Sequence, residues 1–563
     1  MSAHRFLDVP ELVSIVFDFV VENGYDQGIR SSLYMNRRWH DIAKPRLWAD
    51  VDLAVVLRHL PHDAWYIYND DRTANDWEHL TESEDLSADD RAERALASGQ
   101  YGHQPSAYEH PVFVLRRLIN PDEWSSLLPK TGMIQRLKTI SGATNSDKLR
   151  SAWGNLYMHY QVYSTLVSCL PDICLFPKIR ALDVAGFGGI PEVLAMFISP
   201  TLRCLSVSIN VDNAAAAACI MTFFDQTVDA CPFARLTVSN ILAMNAHDEA
   251  SSEALEDALL ACPSLWNLTV DYLSAIQWRT VAVLPHLVEL NVNNGREIDH
   301  TLHDWEGSDV TDDDDADVDF PTPDDIDGPA FPALRSLRFP HFTSETLSTP
   351  QLRLLLEMRE NQWPLECFVV PEEAIFLQWK HRVFTVHNLL KEHISADTLT
   401  HLVIGTMYGP SAERRDPFHH IEPLLVFTRL TYLHVYCEFD NPECPSSPLE
   451  PEEAREIVHS FPQMRDLLLK VKFPLSELPT LAENCPDLLK LDLSAWLFPH
   501  EVEDGRLHVD PPAHSSPSVR EAQVRTDWLE DLCPRDIDYG VSEYIELVFP
   551  HGVDFESDSE DDA

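Results

Sequence analysis

The sequence predicts an α/β solenoid, an open array of strand–turn–helix units, preceded by a small module of three helices. Three observations predict it. A short apolar signature, L-x-x-L-x-L with other apolar residues admitted, occurs eleven times between Ile179 and Leu493. Amphipathic stretches of helical period fill several gaps between occurrences. Residues 6–52 differ in character, with a leading segment that is apolar on nearly every side. Self-similarity at a period of tens of residues marks a stacked array, which offers a long binding surface rather than a catalytic pocket.

The leading module spans residues 1–52. Pro10 opens a helix where its missing N–H costs nothing. The helix then reads Glu11-Leu12-Val13-Ser14-Ile15-Val16-Phe17-Asp18-Phe19-Val20, too apolar for a free surface helix, so more than one side must be covered. Gly24 ends it. A second helix is predicted over about 27–35 and a third over about 37–44, bounded by Pro45. Leu47 and Trp48 close the module. Some fifty residues give little core, so a partner or the following repeats should complete it.

Residues 53–130 read as a linker and entry segment with partial helices. Their stretch 70–110 is polar and turn-rich, with Asp70-Asp71 and Asp89-Asp90. The array is predicted over 131–500. Its signature stands as Ile179-Leu182-Val184, Leu202-Leu205-Val207, Phe233-Leu236-Val238, Leu265-Leu268-Val270 and Leu287-Leu290-Val292. It continues as Leu334-Leu337-Phe339, Leu365-Phe368-Val370, Leu399-Leu402-Ile404, Leu430-Leu433-Val435, Met464-Leu467-Leu469 and Leu488-Leu491-Leu493. Side chains two apart on a strand point the same way, so the second and third members share a face, while the first enters at the preceding turn. One unit cannot bury this edge alone; stacking buries it, at roughly 1.5–3 kcal/mol per large side chain. Central members recur every 22 to 47 residues. Helices are predicted over 251–262 and 451–461.

The longest gap holds an acidic insert, about 299–328, with Asp312 to Asp315 unbroken. Such a segment cannot bury enough apolar surface to order itself. Asp313, Asp315 and Asp317 have the spacing of a calcium loop, but Val318 stands where that loop needs Gly, and no metal site is assigned. Residues 501–553 are expected to cap the array, and 554–563 form an acidic tail in which Ser557 and Ser559 each precede an acid by three residues.

The repeats resemble leucine-rich repeats of the irregular kind found behind F-box domains. The family's Asn appears only at Asn210 in the first units, and several units exceed its usual length, so an open arc of uneven curvature is expected. The leading module resembles an F-box through Val9-Pro10-Glu11-Leu12, Val16-Phe17, Leu33, Trp39 and Leu47-Trp48. Val9 replaces the usual Leu, and Met35-Asn36 stands where Val-Cys is common. The stretches Val51-Asp52-Leu53, 57–61 and Pro121-Asp122-Glu123-Trp124 are similar to a large fungal, basidiomycete-type family of such proteins. The resemblance implies the substrate-recognition subunit of a Skp-cullin-F-box ubiquitin ligase. Such a subunit has no catalytic activity of its own. Val9, Pro10, Leu12, Val16, Phe17, Val20, Leu33 and Met35 would face the Skp-family adaptor, through it a cullin, and Trp39, Leu47 and Trp48 would hold the three helices together. The repeats would bind a substrate protein. A ligase-independent scaffold of the same build is the alternative.

The remaining chemistry is sparse. A net charge of −49, spread along the chain, argues against nucleic acid or an anionic membrane as partner. The longest apolar run, Ala214 to Met221, is too short to span a bilayer. Residues 1–10 lack the apolar core of a secretory leader, and an intracellular setting, cytoplasmic or nuclear, is expected, so the eleven Cys are expected as thiols. No C-x-x-C, H-E-x-x-H or G-x-S-x-G occurs, and Gly186-Phe187-Gly188-Gly189 lacks the remainder of a phosphate loop. No cofactor is implied. His300 and His303 beside Asp299 and Asp304 read as solvated residues bordering the insert. Gly405, Tyr408 and Gly409 suggest a long rim loop. Trp266, Tyr272, Tyr432 and Tyr436 fall on or beside strands, where ligand anchor and core packing are equally open roles.

Overall fold

A computed structural model describes residues 13–17, 37–68, 112–140, 157–158, parts of 162–169, 175–185, 197–208 without 198, 233–239, and 255–270 without 258. It also describes 273, 275–293, 326, 329–340, 349–370, 376–377, 385–408, 417–439, 448–496, 498, 502–503, 506–507, 515–525 without 517, 535–550 and 553–554. The chain forms two compact units, Met1–Cys262 and Pro263–Ala563.

In the first unit residues 13–17 are helical, and a helix spans Arg37–Leu47. Strands follow as β1 (Asp50–Asp52), β2 (Trp65–Tyr68), β3 (Val112–Leu115), β4 (Arg136–Ile140), β5 (Tyr157–Met158), β6 (Ala181–Ala185), β7 (Cys204–Ser208) and β8 (Arg235–Ser239). Parallel pairing runs β1-β4-β6-β7-β8. A small side sheet pairs β2 antiparallel to β3 and β3 parallel to β5.

The second unit carries β9 (Asn267–Val270), β10 (Glu289–Val292), β11 (Ser336–Arg338), β12 (Cys367–Val370), β13 (Phe376–Leu377), β14 (His401–Tyr408) and β15 (Tyr432–Phe439). It continues with β16 (Asp466–Pro474), β17 (Lys490–Trp496), β18 (Val502–Glu503), β19 (Arg506–Leu507), β20 (Glu521–Arg525) and β21 (Val553–Asp554). Among the described residues its pairings are parallel, in the order β9-β10-β11-β12-β14-β15-β16-β17-β20-β21 with β13 also beside β14, apart from the β18–β19 hairpin. This is a leucine-rich-repeat type of solenoid: each connection returns the chain to the same edge, so the ladder grows one rung per unit.

Register follows from the apolar signature. Leu137, Leu182, Leu205 and Leu236 are lateral partners in the first unit. Leu268, Leu290, Leu337, Phe368, Leu402, Leu433, Leu467 and Leu491 form one such column in the second. All of these side chains are buried, as are the first members from Ile179 to Leu488. A one-residue slip would turn the column to solvent, which pins the register.

A second column is made of backbone. From Ile134 to Leu202 and from Leu265 to Leu488, the carbonyl of the residue after a first member accepts two N–H groups from the next rung. Arg180 O accepts from Arg203 and Cys204 at 2.8 and 2.9 Å, and Thr431 O from Arg465 and Asp466 at 2.8 and 3.1 Å. This seals the strand entrance, where backbone groups would otherwise be buried without partners. Returning helices start as their sequences dictate: Pro121 and Pro451 open Pro121–Thr131 and Pro451–Ser460, and the Glu123 and Glu453 carboxylates each accept the cap N–H at 2.8 Å. Cys262 and Cys485 sit buried where a helix gives way to the next strand entrance, and burial pushes their thiols up to about 11 and about 12.

Several expectations change. The ladder exceeds 131–500 at both ends: β1 pairs with β4, and β20 and β21 continue past β17 through residues expected only to cap it. Within 53–130 lie the helices Leu53–Leu57 and Pro121–Thr131 and two strands of the side sheet. Pro45 lies inside its helix, which ends at Leu47, because a missing N–H so near the C-terminus removes a single bond. Gly405 and Tyr408 lie in β14 rather than in a rim loop, paired with Tyr436 and Phe439. The stretch 70–110, the acidic residues of the insert, Gly186–Gly189, His300, His303, Ser557 and Ser559 lie outside the described residues.

Candidate functional site

Alternation along the strands sends the residues on either side of each central member to the outer face of the sheet. That face is broadest across β14 to β17, which run seven to nine residues, against three to five in the strands of the other rungs from β1 to β20. There His401, Tyr432 and Asp466 are partners on consecutive rungs. The His401 and Tyr432 rings stack at 3.8 Å and 9°, and Tyr432 stacks on His434 at 4.1 Å. His434 Nε2 lies 2.9 Å from Asp466 Oδ1, while its Nδ1 lies 3.1 Å from the Tyr432 hydroxyl and 3.5 Å from that of Tyr436. The Lys470 ammonium sits 4.9 Å above the Tyr436 ring, and that of Lys472 4.4 Å above Trp496. Half-buried Val369, Val403 and Leu468 add apolar area beside the rings.

The electrostatics suit binding. Burial, then the charges of Arg338 and His434, pushes the His401 imidazole down to about 4 against the opposing pull of Asp466. Burial first, and Asp466 second, pushes the Tyr432 phenol up to about 12; burial also raises Tyr436. These groups are moved away from the range in which they would exchange protons near neutrality. The platform offers stacking and fixed hydrogen bonds, the properties of an anchor for a protein ligand. Among the described residues no group of three His, Cys, Asp or Glu could hold a metal ion, and no helix is long and apolar enough to cross a membrane.

Tyr432 and Tyr436 therefore come together on this platform. Trp266 lies apart at a strand entrance, partly exposed, and Tyr272 is outside the described residues. His401, His434 and Asp466 were not singled out from sequence. Their signal was present, since each is an x position of the signature, on units 31 to 34 residues apart.

The N-terminal module has a split helix. Val13 and Phe17 are buried in a cluster with Ala43, against which Trp39, Ile42 and Leu47 pack. Phe17 meets Trp39 edge to face at 5.5 Å. Ile15 and Val16 point outward, 63% and 40% exposed. Arg46 ties the two segments by donating to Ser14 Oγ, and a second bond to Ile42 O of its own helix steadies the guanidinium. Phe17, expected on the adaptor-facing side, is thus an interior residue: helical period puts it four residues after Val13, on the inner stripe. Trp48 leaves this cluster, packing 5.0 Å from the His59 ring with Lys130 5.7 Å above it. Val9, Pro10, Leu12, Val20, Leu33 and Met35 lie outside the described residues.

No protein-family model matches the chain, and no curated protein does. Among solved structures it is similar to a chain of the Rad7 and Elc1 complex in yeast, with 15% identity, covering 69% of this chain and 82% of that one at a TM-score of 0.34. It is also similar to an internalin from Listeria monocytogenes, with 9% identity, covering 60% and 89% at a TM-score of 0.29. The fold rests on the strand ladder itself.

Proposed function

We propose that this chain is the substrate-recognition subunit of a Skp-cullin-F-box ubiquitin ligase, working inside the cell, in cytoplasm or nucleus, without chemistry or cofactor of its own. The N-terminal module docks the Skp-family adaptor and through it a cullin, and the outer sheet face holds the substrate protein. The observation that carries this reading is the split helix: its inner stripe is satisfied by Trp39 and Ala43, yet it still presents Ile15 and Val16 to solvent. An apolar pair exposed beside a completed cluster suits a helix that meets a foreign groove. The sequence resemblance to an F-box supplies the partner.

The test is co-purification of the full chain with a Skp-family adaptor. Wild type captures it; Ile15→Asp/Val16→Asp does not, while its circular dichroism is unchanged. Capture that survives the double change sinks the docking surface. A wild-type chain that never captures the adaptor favours the ligase-independent scaffold.

A further inference from the structure

Within the first unit the strand windows of the ladder depart from the acidity of the chain. Across the four windows from first to third apolar member, 134–139, 179–184, 202–207 and 233–238, there are five Lys and Arg against Asp183 alone. The whole chain has 42 basic residues against 91 acidic. In the nine corresponding windows of the second unit, from 265 to 524, five cations meet five acids. The imbalance is local to β4 through β8.

The cations fall one or two to a rung. Arg136 and Lys138 lie on β4, Arg180 enters β6, Arg203 enters β7 and Arg235 opens β8. Backbone bonds from Arg203 N–H to Arg180 O at 2.8 Å and from Ala234 N–H to Arg203 O at 2.8 Å fix the order of the last rungs. Arg136, Arg180, Arg203 and Arg235 are all exposed, as is Lys178 just before the second window. Arg136 is paired with Asp183 at 2.7 Å and Lys138 with Asp50 at 2.9 Å. Among the described residues the Arg203 guanidinium donates to the carbonyls of Pro200 and Leu202, both at 3.0 Å, which holds it in place. Among the described residues neither Lys178, Arg180 nor Arg203 has a carboxylate within ion-pairing distance.

We infer that this strip is a docking surface for an acidic peptide segment of a partner protein. Charge complementarity argues for that occupant. The fold spaces rungs about 4.8 Å apart, and an extended peptide repeats side chains on one face every ~6.7 Å, a mismatch that long arginine side chains absorb. The repulsion of the remaining chain is screened beyond roughly 8 Å at physiological salt, so the local field decides. A duplex with a charge about every 1.7 Å would need more contacts than this short strip supplies. The inference does not depend on adaptor docking, so either can fail alone.

The experiment is fluorescence anisotropy of full-length chain with a labelled Asp/Ser peptide of about twelve residues, and with Lys/Ser and single-stranded DNA controls. The Asp/Ser peptide binds, and binding weakens steeply with salt. Arg180→Glu/Arg203→Glu/Arg235→Glu lowers affinity by about tenfold or more; Arg180→Gln/Arg235→Gln, which leaves the Arg203 carbonyl bonds intact, lowers it in the same direction should the triple change impair folding. The matched change Arg335→Glu/Arg465→Glu/Arg520→Glu in the second unit leaves it unaltered. Equal affinity in the first-unit variants, or an equal loss in the second-unit variant, overturns the inference. So does DNA binding as tight as the peptide, or peptide binding that emerges only after acids 304–327 and 554–562 are neutralised, which would make the occupant the chain's own.

Discussion

At the scale of single residues, His401 shows how a solenoid face acquires a property absent from its parts. Its neighbours Tyr432 and Arg338 lie 31 and 63 positions away, yet the register sets the Tyr432 ring against the imidazole. Burial and the charges of Arg338 and His434 outweigh Asp466 and hold it neutral down to about pH 4, whereas an unfolded chain takes up that proton near 6.5. Between those values the unfolded state binds more protons. The contribution is therefore complete above 6.5 and fades as pH falls toward 4. His401→Phe keeps the stack and removes the titration, so its thermal midpoint should fall less steeply than wild type between pH 7 and 4.5. Parallel curves for the two proteins would count against this account of the platform.

At the scale of elements, the strand entrance is the joint that repeats. Arg465 and Asp466 both donate to Thr431 O, and the Arg465 side chain is exposed. Arg465→Pro removes one of the two bonds and should cost about 1–3 kcal/mol in urea unfolding, while Arg465→Ala should stay within about 0.5 kcal/mol. Equal values for the two variants would mean that the double acceptor is incidental. The same element explains what the sequence revealed and what it hid. Eleven strands were legible because a large apolar residue (Leu, Ile, Val, Phe or Met) fills all three positions. The rungs at β4 and β20 were not, since Thr139 takes the third position of one and Ala522 the centre of the other. Ala522 is nonetheless buried, flanked by buried Val519 and Val524. The inner face could be read from local pattern. The outer face could not, because His401, Tyr432 and Asp466 become neighbours only through register. The split of the leading helix was likewise hidden by its uniform apolarity, which gives no sign of which stripe faces Trp39.

At the scale of the whole molecule, two compact units built from nearest-neighbour rungs should respond to damage locally. In such arrays stability is a sum over units and their interfaces, so a lesion is felt by adjacent rungs and fades beyond them. Leu433 and Leu182 are both fully buried central members, one in each unit. Truncation to Ala at either should cost about 2–5 kcal/mol, from lost burial together with the cavity left behind. Hydrogen exchange separates local from global loss. Leu433→Ala should speed exchange in β14, β15 and β16, the rungs bonded to it, and leave β6 and β7 as protected as before. Leu182→Ala should do the reverse, loosening β4, β6 and β7. Because the proposed peptide strip lies on β4 to β8 and the aromatic platform on β14 to β17, local response also means that each surface can be altered without unfolding the other. Exchange that rises evenly along the whole chain in either variant would show one cooperative body instead, and the two surfaces would then have to be tested together.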